Sequence, residues 1–241
     1  FPEAALDLGD RARRLWLDSY LDHVVTHDAS LVSEVDPNPG RLARFLKAYA
    51  LNSAGLATDQ TIYEAAGVSR KTAVLYERLL TDLSVIHAVP AWTSNRLKRL
   101  VRSPKRYVID SSLLAAAIEV VDHQAVLRSG DLLGRVIDTF VTGQIRAEQS
   151  LVGHRPRLHH LRQSSGDREV DLIIEVGGDS VIAIEIKASS APTSRDAKHL
   201  RWLGEQLGGR FVAGVVLHTG PHTYELSDKI QAAPISTLWS G

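Results

Sequence analysis

Three side chains in the second half of the sequence have the types and spacing to do chemistry: Asp171, Glu185 and Lys187. They lie in two β-rich runs either side of Gly177-Gly178, a strong hairpin signal. The pattern also sets the register. Pairing Ile174 with Ile182 and Leu172 with Ile184 sets apolar against apolar, and a one-residue slip sets apolar against polar. This register puts Asp171 opposite Glu185, on the face away from Val170, Leu172, Ile174, Val176, Ile182, Ile184 and Ile186. Lys187 follows on the acidic face, because side chains alternate with period two. Two close carboxylates repel unless a cation neutralises them. Oxygen ligands of this kind suit Mg²⁺ or Mn²⁺, with Asp171 and Glu185 as the metal ligands. A lysine beside them can orient or activate a water, or neutralise charge on a phosphate in its transition state. The bland alternative is a solvated outer face with an Asp/Glu/Lys ladder.

The flanking elements must position this hairpin. Leu132 to Leu151 reads as an amphipathic helix carrying Asp138. Arg157 to Arg162 reads as the preceding strand. Its adjacent His159 and His160 point to opposite faces and cannot chelate one metal together. After Lys187, Thr193 or Ser194 is expected to cap a helix through Leu207. Phe211 to His218 is a continuous apolar run, as in a buried strand. Tyr224 to Leu226 and Ile235 to Trp239 read as short closing strands or edges. Helix, three antiparallel strands, helix and strand suit a three-layer α/β core.

The first half is helical. Glu3 to about His27 has apolar residues at helical spacing, with a break at Gly9-Asp10. Residues 36–40, Asp-Pro-Asn-Pro-Gly, punctuate the chain. Helices are expected over 41–52, from Thr58 or Asp59 to Ala66, and from Arg70 to Leu83 after a Ser69 cap. In the last, Val74, Leu75, Leu79, Leu80 and Leu83 are expected inward. Two strand-like pieces, 85–89 and 106–110, bracket a polar, basic excursion. Helix, Gly-containing turn, helix and terminal hairpin make a winged helix. Such a unit can bring Arg96, Lys98, Arg99, Arg102 and Lys105 against phosphates, with Arg70 and Lys71 on its third helix. The other reading is a solvated wing or a protein-docking surface. Trp92 reads as a packing residue rather than a base-stacking platform.

Composition narrows the classes. The 241 residues carry 28 basic and 28 acidic side chains, so no global basic field announces nucleic acid and any such partner must meet a local patch. The absence of cysteine excludes disulfides, thiolate metal sites and Cys nucleophiles, and is compatible with the cytoplasm. No apolar run reaches transmembrane length, so no membrane partner is expected. The chain opens on Phe1 and has no methionine, which reads as a fragment of a longer protein. No P-loop motif is present.

Asp171, Glu185 and Lys187 resemble the metal-binding core of the PD-(D/E)xK nuclease superfamily, without the proline of its name. More broadly, the sequence resembles the C-terminal part of prokaryotic AAA-type ATPases. Phe1-Pro2-Glu3 and Trp16 to Asp28 resemble the end of the ATPase lid. Ser69 to Leu80 resembles a helix-turn-helix, and Lys105 to Asp110 the strand leading onward. Gly134 to Val141 resembles the first nuclease helix, with Asp138 where a glutamate is usual. Ile235 to Trp239 resembles the closing stretch. The resemblance implies an α+β chain: a lid remnant (1–36), a winged-helix domain (37–121) and a restriction-endonuclease-like PD-(D/E)xK domain (122–241). It implies catalytic roles for Asp171, Glu185, Lys187 and Asp138, with Mg²⁺ or Mn²⁺ as cofactor. ATP would bind only an N-terminal part outside this sequence, itself a partner, and homo-oligomers are open. Three functions compete: Mg-dependent hydrolysis of DNA phosphodiesters; a catalytically silent module for DNA binding or protein docking; and a transcription-type reader.

Overall fold

The computed structural model describes residues 2–33, 37–93, 97, 100–120, 122–149, 151, 153, 156–164, 166–177 and 180–239. It is a mixed α+β chain in two compact units, one of residues 1–88 and 106–129, the other of 89–105 and 130–241. These units divide the chain at other points than the sequence boundaries at 36/37 and 121/122.

The first unit begins with α1 (Pro2–Leu6) and α2 (Asp10–His23), interrupted at the expected Gly9. A π-helical turn, Val24–Asp28, continues into α3 (Ala29–Val32). Then come α4 (Pro39–Leu51), α5 (Asp59–Ala66) and α6 (Arg70–Asp82). Their ends follow local chemistry. Thr58 and Ser69 accept hydrogen bonds from the backbone N–H of Thr61 and Thr72, each at 3.2 Å, satisfying donors the first helical turn leaves open. Gly67 stops α5 at φ +64°, a conformation glycine adopts without steric cost. β1 (Ile86–Val89) and β2 (Lys105–Val108) form a two-stranded sheet. α7 (Ser111–Ala117), capped by Asp110, and α8 (His123–Arg128) follow.

One core joins Val24, Val25 and Ala29 to Leu42, Phe45, Tyr49, Ile62, Leu79 and Leu80. The N-terminal helices therefore pack with the segment after residue 36. On α6 the inward residues are Ala73, Tyr76, Leu79 and Leu80, whereas Val74 and Leu75 are exposed. The tyrosine ring claims the buried stripe that the sequence assigned to smaller aliphatic side chains. Arg106, part of the basic excursion, is buried and pairs with Asp59 and Glu77.

The second unit contains α9 (Gly130–Gln149), β3 (Arg157–Arg162), β4 (Glu169–Val176), β5 (Ser180–Lys187), α10 (Lys198–Leu207), β6 (Phe211–His218), β7 (Tyr224–Ser227) and β8 (Ile230–Pro234). The sheet order is β3-β4-β5-β6-β8-β7. β3, β4 and β5 run antiparallel, and α10 is the crossover to the parallel β6. The hairpin has the expected register, Ile174 opposite Ile182 and Leu172 opposite Ile184.

Two expectations change. Ile235–Trp239 is a 3₁₀ turn, and the closing strand is β8, just before it. α10 starts at Lys198 without a side-chain cap. Thr193 instead closes a turn in which its N–H and hydroxyl donate to Asp196. The backbone N–H of Thr193, against a smaller burial cost, holds the Asp196 carboxyl below its usual range.

Candidate functional site

The hairpin register, continued one step, brings Asp171 opposite Glu185. Their face is not a solvated ladder. Ile173, Val181 and Ala183, on the same side of the hairpin, share a buried core with Leu200, Leu203 and Leu207 of α10. The carboxylates sit where this apolar layer ends.

Asp171 is held on both oxygens. Oδ2 accepts from the Ile186 backbone N–H at 2.9 Å, and Oδ1 from Lys105 Nζ at 2.9 Å. The same ammonium donates to Asp138 Oδ2 at 2.7 Å, and Thr142 Oγ1 donates to Asp138 Oδ1 at 3.1 Å. The Lys105 side chain is 2% exposed. Burial would raise the Asp171 carboxyl. The Lys105 charge, the Ile186 amide and, more weakly, Lys187 outweigh it and hold Asp171 below its usual range. This is the pattern of a carboxylate with a cation in contact.

Glu185 is the opposite case. Burial, then repulsion from Asp171, pushes its carboxyl up, against weaker opposition from His199 and Lys187. Oε2 accepts from Lys187 Nζ at 3.0 Å. Oε1 is buried without a hydrogen-bond partner, and His199 Nδ1 approaches it only to 3.5 Å. Lys187 is about one-third exposed; burial lowers it, but Glu185 and Asp171 outweigh that and raise it.

The expected catalytic set thus divides. Asp171, Glu185 and Lys187 come together as the sequence indicates. Asp138 reaches Asp171 only through Lys105, and the three carboxylates do not close into one three-ligand cluster. For a divalent cation, Asp171 and the orphaned Glu185 Oε1 fit as oxygen ligands, while Asp138 fits as the anchor of Lys105.

Lys105 corrects the reading of the basic excursion: it is buried between two carboxylates, so it is not a phosphate contact. Arg70, Lys71 and Arg102 are exposed, whereas Arg96, Lys98 and Arg99 lie outside the described residues. Trp92 packs, 2% exposed, with Nε1 donating to Glu175 Oε1 at 2.8 Å. His159 is half-buried and 3.5 Å from Glu175, and burial lowers it. His160 is buried and bonded to the Ser103 carbonyl.

Sequence reasoning missed His199 and the inward turn of Lys105. A signal existed for each. Lys105 shares a strand face with Tyr107, an aromatic expected inward. His199 directly precedes Leu200, the first buried leucine of α10.

Fold and site define a mixed α+β protein with a lysine-bridged acidic cluster on the inner strands β4 and β5 of its sheet. The chain belongs to the family described as domain of unknown function DUF8612, which matches residues 1–124. A second family, domain of unknown function DUF4143, matches residues 133–238. The chain is similar to "Uncharacterized protein Mb2031c" of Mycobacterium bovis and "Uncharacterized protein Rv2008c" of Mycobacterium tuberculosis. Each is 28% identical over 223 residues, covering 92% of this chain and 48% of the relative. The chain thus spans about half the length of the curated relatives it matches.

Proposed function

We propose that this chain is the C-terminal region of an AAA-type ATPase, with a winged-helix unit and a PD-(D/E)xK nuclease-like unit that hydrolyses DNA phosphodiesters with Mg²⁺ or Mn²⁺. The observation that carries the reading is the buried Glu185 Oε1, without a hydrogen-bond partner, beside Asp171 in a cluster where three carboxylates, with Asp138, face the two ammoniums of Lys105 and Lys187. A divalent cation bound there would supply Lewis-acid stabilisation of phosphate oxygens. The other roles belong to the chain. Asp171 and Glu185 present oxygens from adjacent strands. Lys187 holds Glu185 and is partly exposed, so its ammonium can meet a phosphate oxygen. Lys105 fixes the Asp171 carboxylate from behind and keeps it ionised. Arg70, Lys71 and Arg102 are the described basic residues for the DNA backbone.

A second reading has its own observation. Lys105 already bridges Asp138 and Asp171, and Lys187 pairs with Glu185. A site so compensated is stable without turnover, which favours a silent module for DNA binding or protein docking.

Cleavage of supercoiled, linear and branched DNA with Mg²⁺ or Mn²⁺ separates the two. The first reading expects cleavage lost at least a hundredfold in Asp171→Asn and Lys187→Ala, with folding retained. Metal-independent DNA retention without cleavage, unchanged in both variants, supports the second.

A further inference from the structure

The first unit holds a cluster unrelated to the acidic site. His23, His27 and Asp28 bring their ring nitrogens and a carboxylate oxygen within 4.8 Å of one another. Asp28 Oδ1 is 3.3 Å from His23 Nε2 and 3.2 Å from His27 Nδ1. The two imidazoles stack at 4.6 Å between centroids, 23° from parallel.

The backbone makes this arrangement. His23 and His27, four apart, would share a face on any α-helix. Asp28 is five from His23, and at 3.6 residues per turn it would point about 140° away. The π-helical turn over Val24–Asp28 reduces that offset, because its hydrogen bonds join residues five apart. Val24 and Val25 anchor the turn in the core, while His23 and His27 stay more than half exposed, at 60% and 57%, and open to an ion.

The spacing suits a particular ion class. Ligand atoms about 2.0–2.1 Å from a tetrahedral Zn²⁺ are separated by about 3.3 Å. Two edges of this triangle already have that length. Two imidazoles and one carboxylate favour Zn²⁺, Ni²⁺ or Cu²⁺ over Mg²⁺, which takes oxygen. We propose that His23 Nε2, His27 Nδ1 and Asp28 Oδ1 form a three-point site for a transition-metal ion of the zinc class. The fourth position is left to solvent or a further ligand, and the bound ion fixes the π turn.

The test is isothermal titration of the full chain with Zn²⁺ and with Ni²⁺, in wild type, His27→Ala, His23→Gln and Asp171→Asn. Co²⁺ absorption serves as the coordination readout. With excess Mg²⁺ present throughout to occupy the acidic site, the expected result is one equivalent bound in the micromolar range, with tetrahedral or five-coordinate Co²⁺ bands. Affinity falls at least thirtyfold in His27→Ala and tenfold in His23→Gln, excess Mg²⁺ does not compete, and Asp171→Asn binds as wild type. Circular dichroism checks that the surface substitutions leave the fold intact. Wild type that binds no Zn²⁺ below 1 mM, as an order-of-magnitude threshold for a real site, overturns the proposal. So does Zn²⁺ binding that is unchanged in both histidine variants or lost in Asp171→Asn.

Discussion

Lys105 Nζ stands 2.9 Å from Asp171 Oδ1, across 66 residues of sequence, and turns a nominally basic excursion into the counter-ion of the acidic site. It is also 2.7 Å from Asp138. One buried ammonium therefore serves two carboxylates that would otherwise repel.

Removing that ammonium leaves two buried charges uncompensated. Lys105→Met is expected to destabilise the fold by about 3–5 kcal/mol, the usual cost of breaking a buried pair from one side. Adding Asp171→Asn to the same chain should return part of that loss, because the two residues are coupled. Urea unfolding of the two single variants and the double variant measures the coupling. Strictly additive losses would show that the pair does not act as a unit.

Stability should also fall in mild acid through His160. Burial, partly offset by the bond to the Ser103 carbonyl, lowers this imidazole from 6.5 to about 4. Its Nε2 donates to Ser103 and its Nδ1 is buried without a partner, so protonation would place an unpaired charge inside the unit. The folded value is depressed. The contribution is therefore complete above about pH 6.5 and is lost as pH falls toward 4, amounting to about 3 kcal/mol. Asp171 is depressed as well, but from the carboxylate range, so its loss falls at lower pH. Unfolding free energy measured from pH 7 to 4 should slope in wild type and be flatter in His160→Gln.

The helix starts offer a simpler test. Ser69→Ala removes the acceptor of the Thr72 N–H and is expected to cost about 1 kcal/mol. Ser69→Asp keeps an acceptor there and should restore most of it. Chemical denaturation of the three chains reads this directly.

The hairpin was legible because its register rests on two short-range signals, the Gly177-Gly178 pair in the sequence and apolar alternation, and the register they imply is the one observed. Thr58, Gly67 and Ser69 were legible for the same reason: a cap or stop acts within three or four residues. What escaped depends on distant partners. Lys105 lies in a run of basic residues, and composition alone reads such a run as solvent-facing. Only the fold brings Asp138 and Asp171 to it. Val74 and Leu75 were expected inward because they are apolar, yet Tyr76 fills the buried stripe of α6 with more area. Ile235–Trp239 has strand-like residues, but β8 ends at Pro234, and the chain then turns in a 3₁₀ conformation. The acidic face itself was half legible: the register that sets Asp171, Glu185 and Lys187 on one side was, and the face's burial beneath α10, with Lys105 and His199 beside it, was not.

The central claim is that Asp171 and Glu185 together accept a divalent cation. Mn²⁺ titration of the chain, followed by electron paramagnetic resonance, tests it most directly. Wild type should bind one Mn²⁺ that Mg²⁺ displaces. That binding should drop at least tenfold in Glu185→Gln and persist in His27→Ala. A wild-type chain that leaves Mn²⁺ free, or a Glu185→Gln variant that binds it equally well, would contradict the account.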